Sequence, residues 1–191
     1  MAARVPFADR FTFFLLTEPR LFERPDGLRI LLLRPWFEAA LSHGLAVGLG
    51  YDGLLFLTPT KRQEHRLWQQ VSYNHRWKPI GALLRFRLEE RFFSDAKRIS
   101  VRGRFFTGIA VPIVREVELL VSNELFVSFN EVPDLDPRGV SENRAFVGFG
   151  WRITKWATTS LGYQMQWLKA PDLINHTVLA GFVFTAQRRS P

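Results

Sequence analysis

Charged residues recur at every second position in the middle of the chain. In the segment LLRFRLEERFF, Arg85, Arg87, Glu89 and Arg91 alternate with leucine and phenylalanine. A guanidinium group binds a carboxylate or a phosphate through two parallel hydrogen bonds, and it is more weakly hydrated than an ammonium group. Arginine and glutamate at this spacing can therefore pair with each other or bind an anionic solute.

The same alternation of charged and apolar residues runs through most of the sequence. The charged residues in this phase are Glu18, Arg20, Arg34, Glu38, Asp52, Glu64, Arg66, Arg76, Arg85, Arg87, Glu89, Arg91, Arg102, Arg104, Glu118, Glu124, Arg144 and Arg152. Lysine occurs at Lys61, Lys78, Lys97, Lys155 and Lys169, all in predicted turns or loops. Arginine suits crowded and partly buried positions. We therefore predict that the charged face is the inside of a closed barrel.

Two functions are open for this predicted network of interior charges. The first is structural, because small barrels are commonly filled by side chains and an arginine–glutamate network would fill a narrow one. The second is an anion-preferring pore, because the predicted interior holds eleven arginines and seven acids. The residue types fit both functions, and both predict that the same side chains line the barrel.

Histidine and hydroxyl residues are the candidates for catalysis. The four histidines are His43, His65, His75 and His176. A hydrolase would need a histidine beside a nucleophile and an orienting acid. Thr177 follows His176, but adjacent strand residues face opposite sides. No pair shows the spacing of metal ligands, and cysteine is absent. We predict no catalytic residue, no metal and no cofactor.

The alternation also predicts where the strands lie. Ten strands are predicted, at about residues 12–22, 28–41, 45–57, 64–77, 83–93, 101–106, 117–130, 143–153, 158–167 and 175–184. An even number of strands, nearly all of them long enough to cross a bilayer at a tilt (about 9–11 residues), is typical of outer-membrane barrels. Glu131–Glu142 is predicted as the longest loop. Residues 1–10 are predicted as an N-terminal extension and residues 187–191 as a basic tail, within a single domain.

Composition narrows the class of protein further. No apolar run approaches the roughly 20 residues of a spanning helix, which excludes a helical membrane protein. The chain has 26 basic and 18 acidic residues, a net charge of +8. Because the arginines are spread along strands, we expect no nucleic-acid partner. We expect a lipid bilayer and lipopolysaccharide as partners, the basic loop residues being Lys61, Arg62, Lys97 and Arg98.

Several segments of the sequence are similar to a known family. They are EHRLWQQ (64–70), LRFRLEERFF (84–93), ELFVSFN (124–130), NRAFVGFGWRIT (143–154), LGYQMQW (161–167) and NHTVLAGFVF (175–184). They resemble a small Gram-negative outer-membrane β-barrel family that is catalogued as a domain of unknown function. The resemblance implies a barrel and an outer-membrane location, and it implies no activity. No signal peptide is predicted at the N-terminus, because Asp9 and Arg10 interrupt the approach to the apolar run.

The sequence therefore predicts an all-β, up-and-down antiparallel transmembrane barrel of ten strands in a bacterial outer membrane. Its predicted function is structural or passive, with a narrow or plugged lumen lined by arginine and glutamate that suits small anionic solutes. One alternative is an outer-membrane barrel enzyme that acts on lipid or peptide. A second alternative is a soluble lipocalin-like barrel that holds an apolar ligand.

Overall fold

The computed structural model describes residues 1–21, 28–57, 62–133 and 135–186. Its regular elements are eleven β-strands: β1 (Ala2–Pro6), β2 (Phe11–Leu21), β3 (Leu28–Ala40), β4 (Leu45–Phe56), β5 (Arg62–Trp77), β6 (Ile80–Phe93), β7 (Ser100–Val114), β8 (Val117–Ser128), β9 (Gly139–Arg152), β10 (Ala157–Leu168) and β11 (Leu173–Thr185). Within these ranges, no helix is long and apolar enough to cross a membrane.

The strands form one closed barrel. From β2 to β11, each strand pairs antiparallel with the next, and β1 closes the ring between β2 and β11. The all-β barrel prediction is thus confirmed, but the prediction of ten strands is wrong. The eleventh strand, β1, lies in the predicted N-terminal extension. Because an odd number of alternating strands must close on a parallel pair, β1 runs antiparallel to β2 and parallel to β11.

The closure through β1 is short. Ala2 to Pro6 pair with β2, and only Ala2 to Arg4 pair with β11. The N–H and C=O of Thr17 both bond to Met1, so this edge of β2 faces β1. Pro19 lies two residues further along β2 and faces the same edge. Because proline has no backbone N–H, it leaves no hydrogen-bond donor unpaired at that position. Beyond β1, no described Cα of β2 lies within 8 Å of one of β11.

The connections divide the barrel into two different ends. At the short-connection end, which joins β3–β4, β5–β6, β7–β8 and β9–β10, two connections are only two residues long (78–79 and 115–116). The opposite, long-connection end includes residues 129–133 and 135–138, here called the inward loop. The predicted turn at residues 24–27, residues 58–61 with Lys61, and the basic tail lie outside the described residues.

Several strands extend beyond their predicted limits. β7 continues to Val114, beyond its predicted end near residue 106, and β9 begins at Gly139, inside the predicted loop Glu131–Glu142. Both extensions are held by ladder pairing to β8. Pairing with a neighbouring strand therefore extends both strands beyond their alternating pattern, and it brings Glu142 into the barrel wall.

Apolar side chains cover the outside of the barrel. Large apolar residues are exposed on every strand from β2 to β11, including Leu49 (60% exposed), Phe86, Phe105 and Val178 (73%). On the same strands, arginine and acidic side chains such as Arg87 and Glu89 are buried. Since successive strand residues face opposite sides, one alternating pattern produces both surfaces.

Candidate functional site

The interior of the barrel is filled in the half nearer the long-connection end. Trp68, Phe126, Asp52 and Glu89 have no exposed surface there, while the strands nearer the short-connection end are less buried. Buried charges must be paired and hydrogen bonded to be tolerated. The candidate site is therefore this buried network of arginines and acids, which we call the interior network.

Glu89 lies at the centre of the interior network. It accepts hydrogen bonds from Arg102 Nε and Nη2 at 3.2 and 2.7 Å and from Arg104 Nη1 at 2.6 Å. Arg104 also donates two bonds, of 3.0 and 2.9 Å, to Glu124, which accepts another from Arg85 at 2.7 Å. The pairing register of β6 and β7 sets Glu89 directly opposite Arg102. One carboxylate thus joins two arginines of the adjacent strand.

A second cluster surrounds Asp52 on β4. Arg34 binds its carboxylate with both ends of the guanidinium fork, at 2.7 and 2.6 Å, and the Trp68 indole N–H donates at 2.7 Å. Gly50 leaves room for this indole, because a Cβ at Gly50 would lie 2.2 Å from Cζ2 of Trp68. Asp52 is therefore paired and fully enclosed. On the inner face of β4, Gly50 thus makes space for tryptophan, and Gly48 for Gln70.

The inward loop enters the lumen and joins the network through Asp136. Its carboxylate accepts bonds from Arg91 Nη1 at 2.6 Å, from Ser128 Oγ at 2.7 Å and from Ser100 Oγ. Arg91 also donates to Glu64 at 2.6 Å. Asp136 is buried, so the loop lies within the long-connection end of the barrel and is attached to three different strands.

Glu142 is the other acid that the sequence pattern missed. It is buried on β9, where it accepts hydrogen bonds from Arg144 Nε and Gln166 Nε2 and lies 3.9 Å from Arg102. Asp136 and Glu142 both lie in the segment Glu131–Glu142, which was predicted as the longest loop. With these two acids, the interior contains more negative charge than the seven predicted acids supply.

Aromatic rings separate and support the arginines. The guanidinium carbons of Arg102, Arg104 and Arg144 lie 4.8, 4.7 and 4.8 Å from the centre of the Phe126 ring. Arg87 stacks on Trp68 at 3.6 Å. Cation–π contacts of this kind are worth about 2 kcal/mol or more when they are desolvated. The rings therefore stabilise arginines that stand close to one another.

Arg87 differs from its neighbours because its hydrogen bonds go to an amide. Its Nε and Nη2 donate to Gln70 Oε1 at 3.2 and 2.8 Å, and Gln70 in turn donates to Glu38 at 3.3 Å. Its Nη1 lies 3.8 Å from Glu89 and has no hydrogen-bond partner in the structure. Gln70 thus links the predicted residues Arg87 and Glu38, and only the structure shows this link.

Not all the predicted interior charges meet in this network. Glu18 and Arg20 form their own pair at 2.6 Å. Arg76, Glu118 and Arg152 instead line a cavity of about 500 Å³ at the short-connection end. The remaining predicted residues join the interior network: Arg34, Glu38, Asp52, Glu64, Arg66, Arg85, Arg87, Glu89, Arg91, Arg102, Arg104, Glu124 and Arg144.

Several polar side chains on the outside of the barrel form hydrogen bonds with one another. The hydroxyls of Tyr51, Tyr73 and Tyr163 hydrogen bond to Nδ1 of His65, His75 and His176, respectively. Asn123 and Asn143 exchange two amide hydrogen bonds, of 3.0 and 3.1 Å. Asn123 and Gln69 are polar residues at positions where the alternating pattern expects apolar ones. Both side chains are exposed on the outer face of the barrel, as their positions in the pattern predict. Among the described residues, no group of three or more His, Cys, Asp or Glu could hold a metal ion.

Comparison with known proteins gives one result. A family model described as "Protein of unknown function (DUF2490)" matches residues 1–176, nearly the whole chain. No curated protein and no solved structure matches.

Proposed function

We propose that this chain, which belongs to the family described as Protein of unknown function (DUF2490), spans a bacterial outer membrane and admits small anions through a lumen that is closed in the present conformation. The proposal has two parts, the membrane-spanning barrel and the passage of anions. The first rests on the outer surface and the second on the interior.

The apolar outer surface is the observation that carries the first part. Large apolar side chains are exposed on all ten long strands, and most of the charged strand residues face inward. A strand of 12 residues, such as β4, is about 40 Å long and covers about 28 Å of membrane thickness when tilted by about 45°. That matches the apolar band of outer-membrane barrels, about 25 Å tall. From β2 to β11 each strand pairs with the next, which satisfies most of the backbone groups between them, as a lipid environment requires.

A charge on this surface would test the membrane location. Leu49 lies mid-strand on β4 and faces outward. If Leu49 lies near the bilayer midplane, Leu49→Arg should lower the free energy of unfolding in lipid vesicles by about 2–4 kcal/mol, because lipid cannot solvate a guanidinium. Chemical unfolding followed by tryptophan fluorescence measures this difference.

Leu41→Arg is the matched control for this variant. Leu41 is also an exposed leucine, but it lies beyond the end of β3 at the short-connection end. Near the membrane interface, the same substitution is expected to cost about 0–1 kcal/mol. A wild-type protein that dissolves without detergent and tolerates both substitutions equally would favour the soluble lipocalin-like barrel.

The interior supports anion passage. The cavity of about 500 Å³ at the short-connection end has Arg76, Arg152 and Glu118 in its wall. Arg87 follows deeper inside, on the inner face of β6. Arginine predominates along this route, so its field favours anions over cations. The inward loop and the interior network then close the route toward the long-connection end.

Conductance in planar bilayers would test this passage. We expect rare, small openings of the wild-type protein, because the interior network and the inward loop fill the lumen. In a KCl gradient, the reversal potential should have the sign of chloride over potassium selectivity. Cation selectivity, or bilayers that stay silent at every voltage, would contradict anion passage and leave the barrel itself unaffected.

Lipopolysaccharide is the partner that we propose for the long-connection end. Lys97 and Arg98 are exposed in the connection between β6 and β7. Arg62, at the start of β5, stacks on Phe56 at 5.0 Å and lies 3.5 Å from Asp95. Basic side chains at a membrane surface attract anionic lipid head groups. Exposed basic side chains at one end of the barrel therefore support binding of lipopolysaccharide phosphate groups there.

A further inference from the structure

A second cavity, of about 210 Å³, lies inside the long-connection end of the barrel. Arg34 on β3, Arg66 on β5 and Arg144 on β9 line it from separate parts of the wall, and Gln166 on β10 adds an amide. Glu64 and Glu142 also reach the cavity. Its volume corresponds to about seven water molecules at the density of the liquid. It can therefore hold a small ion together with some of its water.

Three arginines of this cavity, Arg34, Arg66 and Arg144, are more accessible than the acids that they bind most closely. The Arg34 side chain is 15% exposed, whereas Asp52 is fully buried. Arg66 is 12% exposed and Glu64 is 1% exposed. Arg144 is 20% exposed and Glu142 is 8% exposed. In all three pairs the carboxylate is withdrawn into the wall, so a solute in the cavity meets mainly guanidinium groups.

We propose that this cavity binds a phosphate group, or another oxyanion of similar size, between Arg34, Arg66 and Arg144. This inference rests on the proposed function, since it names the class of anion that the lumen takes. Guanidinium groups that approach from several directions match the oxygens of a tetrahedral dianion, each of which accepts charge-assisted hydrogen bonds. A chloride ion carries a single charge and accepts hydrogen bonds without preferred directions, so it gains less from this arrangement.

Arg66 is the side chain whose removal tests the site with least disturbance. Arg66 donates a hydrogen bond of 2.7 Å to Glu64, and Arg91 donates a second one, of 2.6 Å, to the same carboxylate. Asp52 keeps both bonds from Arg34 without Arg66. Arg66→Gln therefore removes a cation from the cavity and leaves each neighbouring acid bound to another arginine.

Arg85→Gln is the matched control. Arg85 belongs to the interior network but does not line this cavity, and its partner Glu124 keeps two bonds from Arg104. Both variants thus lose one arginine and one bond to an acid. Only Arg66→Gln changes the proposed site.

The experiment is calorimetric titration of the full chain in detergent micelles with inorganic phosphate at constant ionic strength. We expect wild-type binding that Arg66→Gln weakens at least tenfold and Arg85→Gln changes less than twofold. If Arg66→Gln does not fold, Arg144→Gln takes its place, since Glu142 retains Gln166 and the nearby Arg102. No wild-type binding, or equal weakening in Arg66→Gln and Arg85→Gln, would overturn the phosphate site.

The titration tests the phosphate site and the bilayer measurement tests anion passage, so either part of the proposal can be contradicted without the other. Phosphate binding in detergent with silent bilayers would contradict anion passage and keep the site. Anion-selective conductance without phosphate binding would keep the passage and contradict the site. Titration with chloride over the same range should give no saturable heat, and saturable chloride binding as tight as phosphate binding would overturn the proposed preference for an oxyanion.

Discussion

Replacing Glu89 by glutamine should lower the free energy of unfolding by about 3–5 kcal/mol, the usual cost of breaking a buried ion pair from one side. Glu89 is fully buried and accepts three hydrogen bonds from Arg102 and Arg104, and Arg87 lies 3.8 Å away. Glutamine nearly keeps the volume of the side chain but removes its charge. The positive charge of these guanidinium groups would then be poorly compensated, in a place where water cannot solvate them.

Glu118→Gln is the control for this prediction. Glu118 also faces the lumen, but it is half-buried beside the wider cavity at the short-connection end. Because water reaches it, the same loss of charge should cost less than about 1 kcal/mol. Chemical unfolding of both variants in the same lipid vesicles gives the comparison. Equal destabilisation of Glu89→Gln and Glu118→Gln would show that burial within the network is not what makes Glu89 important.

The barrel could be predicted because its two surfaces require opposite residue types. Along β6, Arg85, Arg87, Glu89 and Arg91 share one face, and leucine and phenylalanine occupy most of the other. This alternation with a period of two reveals both the strand and its inward face. β1 could not be predicted in this way, because five residues ending in a proline are too few to show a period.

The partners within the network could not be predicted from the pattern. Glu89 meets Arg102 because the β6–β7 pairing sets their Cα atoms opposite each other, and a shift of one residue would separate them. Asp136 was missed for another reason. An irregular loop has no period, and Asp136 is held by Ser128 of the preceding strand and by Arg91 and Ser100 of two strands distant in sequence. Only the assembled barrel brings these groups together.

Asp136→Ala should release the inward loop and raise the frequency of channel openings about 30- to 1000-fold. The Asp136 carboxylate is bonded to Arg91, Ser100 and Ser128, and bonds that involve a charged group are worth about 1.5–3 kcal/mol each. Because some of this stabilisation is recovered by water, we expect a shift of about 2–4 kcal/mol toward the loop-out state, with a tenfold change in population for every 1.4 kcal/mol.

Two measurements report on the inward loop directly. Hydrogen exchange should quicken at the amides of Val132, Leu135 and Asp136, whose bonds of 2.9 to 3.1 Å close the turn of the loop. Single-channel recording should show openings of the same anion selectivity as wild type but at higher frequency. Asp95→Ala is the matched control, because Asp95 is an acid at the same end of the barrel that is half exposed and bonded to Arg62 at 3.5 Å.

The two measurements together decide whether the loop or the interior network closes the lumen. Arg91 keeps its bond to Glu64 when Asp136 is removed, so the layer around Glu89 should remain intact. Faster exchange with more frequent openings means that loop departure limits passage. Faster exchange without any change in openings would contradict this role and leave the Glu89 layer as the barrier. In that case Glu89→Gln, and not Asp136→Ala, should increase the conductance.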